Sequence, residues 1–186
     1  LISPDRHRQL LDACRVLEAS GAAHLVLAAE QGVRCLRRRD VEELEQTYIR
    51  TFGHIVRGQQ SLYETEYGSG QAMRGVHELG DIAGFYRAFG LDVSRSVADR
   101  VDHVAVECAF MHVLCHKEAY AATHHGPEQV QVCRDAQARF LKEHLGWWAP
   151  SMTRRLLDTQ GGSLYAAWAQ LMLAFLADER KRQGLL

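Results

Sequence analysis

Apolar residues recur three and four positions apart through most of this chain, while strict two-residue alternation is rare, so the pattern predicts helices rather than strands. Ser3 followed by Pro4 reads as an N-cap with a first-turn proline, and Leu10, Cys14 and Leu17 make an apolar stripe that stops at Ser20-Gly21. A second helix is expected from about Ala22 to Arg37 with Leu25, Ala29, Val33 and Leu36 inward. A third follows from Asp40 through Val41, Leu44, Tyr48, Phe52 and Ile55. Residues 53 to 70, rich in glycine and tyrosine, predict a loop with a short helical turn. The fourth helix, roughly Gln71 to Ala88, carries Ala72, Val76, Leu79, Ala83 and Tyr86 on one stripe and closes at Gly90, a left-handed C-cap.

A polar connection from Asp92 to Arg100 leads to Asp102 and His103, which open a helix that is otherwise almost wholly apolar and runs to about Ala122. Val104, Cys108, Met111 and Cys115 form its stripe, with Phe110 and Leu114 beside them, which suits the centre of a bundle. His124-His125-Gly126-Pro127 breaks it, and a sixth helix extends from Pro127 to Leu145. Gly146-Trp147-Trp148-Ala149-Pro150 reads as an aromatic corner. Helices around Met152 to Leu157 and from Ser163 to Lys181, the latter with Leu164, Trp168, Leu171 and Phe175, complete an all-α, single-domain bundle over residues 1–186.

At 186 residues the chain suffices for one core without disulfides or metals. Its 22 basic and 23 acidic side chains cancel, which removes the field that draws proteins to nucleic acid or anionic membrane. Charge is nevertheless uneven. Residues 60 to 107 hold Glu64, Glu66, Glu78, Asp81, Asp92, Asp99, Asp102 and Glu107 against Arg74, Arg87, Arg95 and Arg100. Such a window can attract a basic ligand, although a charge run is more often a solvated face. The Arg37-Arg38-Arg39 run is answered at once by Asp40, Glu42, Glu43 and Glu45, as at a solvated helix end.

Five cysteines without a C-x-x-C pair suggest a reducing compartment. The N-terminal segment lacks the order of an export signal and no apolar run is long enough to span a bilayer, so a cytoplasmic protein without stable membrane insertion is expected. No phosphate loop, nucleophile elbow or H-E-x-x-H occurs. Cys108, His112, Cys115 and His116 have ligand types that suit zinc, but the two cysteines belong to the apolar stripe. Asp102 has a plain reading as the helix cap. No catalytic residue, metal or cofactor is therefore assigned. The rival readings are a helical metal-dependent enzyme and a structural adaptor subunit.

In order, Tyr48-x-x-x-Phe52-Gly53, Ser61-Leu62-Tyr63-Glu64, Leu79-Gly80-Asp81-x-x-x-Phe85-Tyr86-x-x-Phe89-Gly90-Leu91, and Asp102-His103-x-x-x-Glu107-x-x-Phe110-Met111 resemble the TorD/DmsD/NarJ family of redox-enzyme maturation chaperones. The similarity continues through Phe140-Leu141-x-x-His144-Leu145-x-x-Trp148-x-Pro150. Tyr63-Glu64 and the aromatic-Gly90-Leu91 block look most like the branch that serves type II dimethyl-sulfoxide-reductase-family molybdoenzymes. Val101 stands where that family often has proline.

The resemblance implies a cytoplasmic chaperone, not an enzyme, that binds the twin-arginine signal peptide of a molybdoenzyme catalytic subunit until molybdopterin is inserted. It places Asp102 and His103 at the peptide site. Combined with the acidic window and loop-flanking aromatics, the expectation is that Glu64, Asp81, Asp102 or Glu107 meet the arginines. Tyr63, Tyr67, Tyr86 and Met111 then border an apolar groove. A monomer is expected, although helical domains can exchange elements.

Overall fold

The computed structural model describes residues 8, 9, 12, 13, 15, 16, 19, 22–37, 41–53, 60–68, 72–92, 100–159 and 164–185. Among them seven helices are bounded: α1 (Ala23–Arg37), α2 (Val41–Phe52), α3 (Ala72–Ala88), α4 (Val104–His124), α5 (Pro127–Glu143), α6 (Leu145–Thr159) and α7 (Leu164–Arg182). A 3-10 turn at Glu64–Glu66 is the short helical turn expected in the glycine-rich loop. The all-α expectation holds. Ahead of α1, every described residue from 8 to 19 is helical, while Ser3, Pro4, Leu10, Cys14 and Leu17 lie outside the described residues. So do Arg38 to Asp40, Ile55 and most of the connection after Asp92.

The chain forms two compact units: Leu1–Ser61 with Met152–Glu179, and Leu62–Ser151 with Arg180–Leu186. In the first, α1 buries Leu25, Ala29 and Val33 as its pattern requires, with Val26 beside them. Gly32 lets the Trp168 indole lie against the helix, since a Cβ there would sit 3.1 Å from the ring. The apolar stripe expected of α2 is not its buried side: Val41 and Tyr48 are exposed, and Thr47 and Thr51 are buried instead. Both threonines satisfy their hydroxyls by donating to carbonyls four residues back, at 2.7 and 2.8 Å, so they bury without an unmet polar group. The helix stops at Gly53, which takes φ 56°.

The second unit holds α3, α4 and α5. Helix α3 buries Ile82 and Tyr86, whereas Val76, expected on the inward stripe, is 70% exposed. Its end is a Schellman motif: Gly90 has φ 75°, Leu91 N–H donates to Tyr86 O and Gly90 N–H to Arg87 O, both at 2.9 Å. On α4 the buried face is Glu107, Phe110, Met111, Leu114 and Ala121, with Cys115 exposed. The expected stripe is thus displaced by one residue, because an all-round apolar helix gives little contrast from which to read its facing. Gly126 caps α5 and Pro127 starts it, making α4 and α5 a helical hairpin. Arg134 and Gln137 on α5 both bond Glu118 of α4 at 2.7 Å.

The expected aromatic corner at 146–150 is instead the first part of a continuous helix, with Pro150 inside α6. Pro150 has no N–H to give to Gly146 O, and Arg180 Nη1 reaches that carbonyl at 3.5 Å. Gly146 itself is required, since any Cβ there would collide with the Leu141 carbonyl. In α7, Leu164 is buried as expected, while Trp168, Leu171 and Phe175 are only partly covered.

Candidate polypeptide-binding site

The loop at 62–67 is pinned to the start of α4. Glu64 N–H donates to Asp102 O at 3.0 Å and Val104 N–H to Leu62 O at 2.9 Å, which makes a one-residue antiparallel bridge between Tyr63 and His103. The side chain that caps α4 is not Asp102 but His103, whose Nδ1 accepts from Ala105 N–H at 3.1 Å. Asp102 faces the loop instead. Its fully buried carboxylate accepts from Thr65 N–H (3.2 Å), Thr65 Oγ1 (2.9 Å), and Arg100 Nε and Nη2 (3.0 and 2.8 Å). The Arg100 guanidinium also lies 4.6 Å over the Tyr63 ring.

Two further carboxyls lie buried nearby. Glu64 accepts from Trp147 Nε1 at 2.6 Å and meets His144 Nδ1 at 3.3 Å. Glu107 Oε2 accepts from Trp148 Nε1 at 3.1 Å, while its Oε1 has no hydrogen-bond partner among the described residues. Burial, then the charge of Glu64, push the Glu107 carboxyl well above the ordinary carboxylate range. Burial and the carboxyls of Glu107, Glu64 and Asp102 likewise raise the Tyr86 phenol, which donates to Val101 O at 2.8 Å. Burial and Glu107 push the Cys108 thiol up to about 12, leaving no nucleophilic thiolate at this point.

The residues expected at the site therefore fall into different surroundings. Glu64, Tyr86, Asp102, His103, Glu107 and Met111 are buried. Tyr63 and Tyr67 are half-buried, and Asp81 is exposed. Thr65, Arg100 and His144 complete the polar network. His144, Trp147 and Trp148 were legible as an i, i+3, i+4 face; Thr65 offered no signal.

Two clefts open on the same unit. One of about 510 Å³ lies between α3 and α5, with Gly80, Gly84, Phe85 and Phe89 opposite Val132 and Arg139. The other, about 610 Å³, is walled by Glu64, Glu78, Asp81, Glu143, Lys142 and His144, with Tyr67 and Trp147 alongside. They meet at Asp81 and Glu143, which line both. His112, Cys115 and His116 are exposed on α4, and no three metal-ligating side chains converge among the described residues. No helix among the described residues is long and apolar enough to cross a membrane.

A family model described as nitrate reductase delta subunit matches residues 18–154. The chain is 29% identical over 93 residues to the chaperone protein TorD of Vibrio cholerae serotype O1, covering 50% of this chain and 41% of that protein. It is 31% identical over 124 residues to the selenate reductase assembly chaperone protein of Thauera selenatis, covering 67% and 61%. Against the chlorate reductase assembly chaperone protein of Ideonella dechloratans it is 27% identical over the same length and coverage. The chain thus spans between two fifths and about three fifths of these curated relatives. No solved structure gives a significant match.

Proposed function

Because the chain belongs to the nitrate reductase delta subunit family, we propose that it is a cytoplasmic assembly chaperone for a molybdoenzyme catalytic subunit. It binds that subunit's twin-arginine signal peptide and holds it until the molybdopterin cofactor is inserted, with no cofactor of its own and no turnover. The observation that carries this reading is the family match across residues 18–154, joined to relatives that are themselves named as chaperones of reductase assembly. The site chemistry supports it. Carboxylates offer bidentate partners for guanidinium groups, and aromatic side chains beside them cover an apolar segment.

Calorimetry of the purified chain with a twin-arginine signal peptide tests the proposal. Binding that weakens when both arginines become glutamine supports it. No binding to any such peptide, or a client complex that persists undiminished after the client's signal peptide is deleted, overturns it in favour of an adaptor role.

A further inference from the structure

Helix N-caps favour serine, threonine, aspartate and asparagine, whose side-chain oxygens accept a backbone N–H at any pH near neutrality. The cap of α4 is an imidazole instead. Ala105 N–H donates to His103 Nδ1 at 3.1 Å, so this nitrogen offers a lone pair and the proton of the neutral ring lies on Nε2. A protonated ring cannot cap, because both nitrogens of an imidazolium are donors. Asp102, an ordinary cap type one position earlier, is not available to replace it: its carboxylate is held by Thr65 and Arg100.

His103 is also where the loop at 62–67 is fastened. It is 9% exposed, faces Tyr63 in the antiparallel bridge, and meets the Tyr63 ring edge-on at 5.2 Å. The charged and titratable groups around this junction come from three segments. The loop supplies Tyr63, Glu64, engaged by Trp147 and His144, and Glu66, 4.0 Å from Arg100. The connection before α4 supplies Asp102 and the Arg100 guanidinium, which lies over the Tyr63 ring. Helix α4 supplies Glu107, held toward its uncharged form by burial, and the partial positive charge of its own N-terminus, which disfavours a cation there. Whatever the balance of these charges, a protonated His103 ring has to leave Ala105 N–H.

We propose that His103 is a proton-controlled latch: the neutral ring closes the start of α4 and holds the loop at 62–67 against it, and protonation releases both. A histidine in the unfolded chain takes up its proton near pH 6.5, whereas the capped ring cannot. The latch therefore contributes fully above that pH and is lost as pH falls below it. The loop carries Tyr63, Glu64 and Tyr67, so its release changes the surface offered to a bound segment; that consequence rests on the polypeptide-binding reading, whereas the latch itself does not.

The purified full chain tests the latch without any peptide, so its failure leaves the chaperone reading standing. Long-range 1H–15N spectra of the wild type at pH 8 are expected to show His103 with an unprotonated Nδ1; a proton on that nitrogen overturns the proposal and needs no variant to do so. His103→Asn keeps a cap acceptor that does not titrate, and His103→Ala removes the acceptor. Urea unfolding of all three proteins from pH 8 to pH 5 cancels the titration of the other histidines. Relative to His103→Asn, the folded-to-unfolded ratio of the wild type is expected to fall about fivefold across that range, the equivalent of one cap, while His103→Ala stays below His103→Asn by a similar factor at every pH. Amide exchange at Ala105 and along 63–65, corrected for its intrinsic pH dependence, is expected to quicken in the wild type alone. A wild type that tracks His103→Asn from pH 8 to pH 5 overturns the latch.

Discussion

Glu64, Asp102 and Glu107 carry the same functional group as Glu78, Asp81 and Glu143, yet the second unit uses the two sets in opposite ways. The first three are at most 1% exposed, and each already has donors: an indole and an imidazole for Glu64, a guanidinium and Thr65 for Asp102, an indole for Glu107. The other three line open clefts; Asp81 and Glu143 are exposed, and of the three Glu143 already accepts from Arg139 Nε at 3.0 and 3.1 Å. A buried carboxylate whose lone pairs are taken, as at Asp102 and Glu64, fixes a loop or a helix start, because an arriving cation must first displace its partners. An exposed one such as Asp81 can trade water for a ligand at little cost. Acid content in a sequence window therefore does not locate a cation site; the availability of lone pairs does.

The largest test of that contrast is Asp102→Ala. It leaves the Arg100 guanidinium, Thr65 N–H and Thr65 hydroxyl without their common acceptor and loosens the bridge between residues 62–64 and 102–104. Removing one partner of a buried ion pair costs about 3 to 5 kcal/mol, and Arg100's partial exposure puts this case near the lower figure. Urea unfolding is expected to show that loss, with any fall in peptide affinity following it. A variant that keeps its unfolding midpoint and still loses peptide would make Asp102 a direct ligand contact and break the comparison.

Glu107→Gln sharpens the same point through pH. In the folded protein Glu107 keeps its proton past neutrality, while in the unfolded chain it ionises near the ordinary value of 4.5. Between those values the unfolded state holds fewer protons, so the contribution of this group is complete at low pH and is lost as pH rises toward the folded value. The slope is at most about 1.4 kcal/mol per pH unit. A glutamine keeps an acceptor for Trp148 Nε1 but cannot ionise. Its stability relative to wild type is expected to climb between about pH 5 and about pH 8, read from urea midpoints. A difference that stays flat over that range means that Glu107 is ionised in the fold.

Gly146→Ala is expected to cost about 1 to 3 kcal/mol, because its Cβ drives into the Leu141 carbonyl at the junction of α5 and α6 and neither helix can yield freely. Thermal unfolding measures it. An alanine tolerated there would mean that the close approach is not enforced.

How much of this was legible in the residues themselves follows from contrast in the pattern. The α1 face was readable because Leu25, Ala29 and Val33 alternate with Glu30, Gln31 and Arg34. The Gly90 C-cap was readable because a positive φ singles out glycine. In α4 the stripe slipped by one residue, since cysteines and valines surround the true face and the buried acid Glu107 reads as polar. In α2, hydroxyls that bond their own helix let threonine take the inside. The 146–150 segment looked like a corner because proline and glycine usually punctuate, yet Gly146 serves close packing and Pro150 falls early in α6. At the site, Asp102, His103 and Glu64 do come together, but the partners that close them off, Thr65, Arg100 and His144, belong to separate segments. Only the folded chain brings those segments together.

The smallest effect runs the other way. Gly84→Ala adds a methyl to α3 with no neighbour within 4 Å among the described residues and removes a mid-helix glycine. It is expected to raise stability by about 0.5 to 1 kcal/mol, seen as a higher urea midpoint at unchanged slope. At Gly146 the same substitution is destabilising because a carbonyl occupies the space; at Gly84 the space is empty, so the sign reverses within a single fold. An unchanged or lower midpoint would mean that a side chain at position 84 is not free of contact in the folded protein.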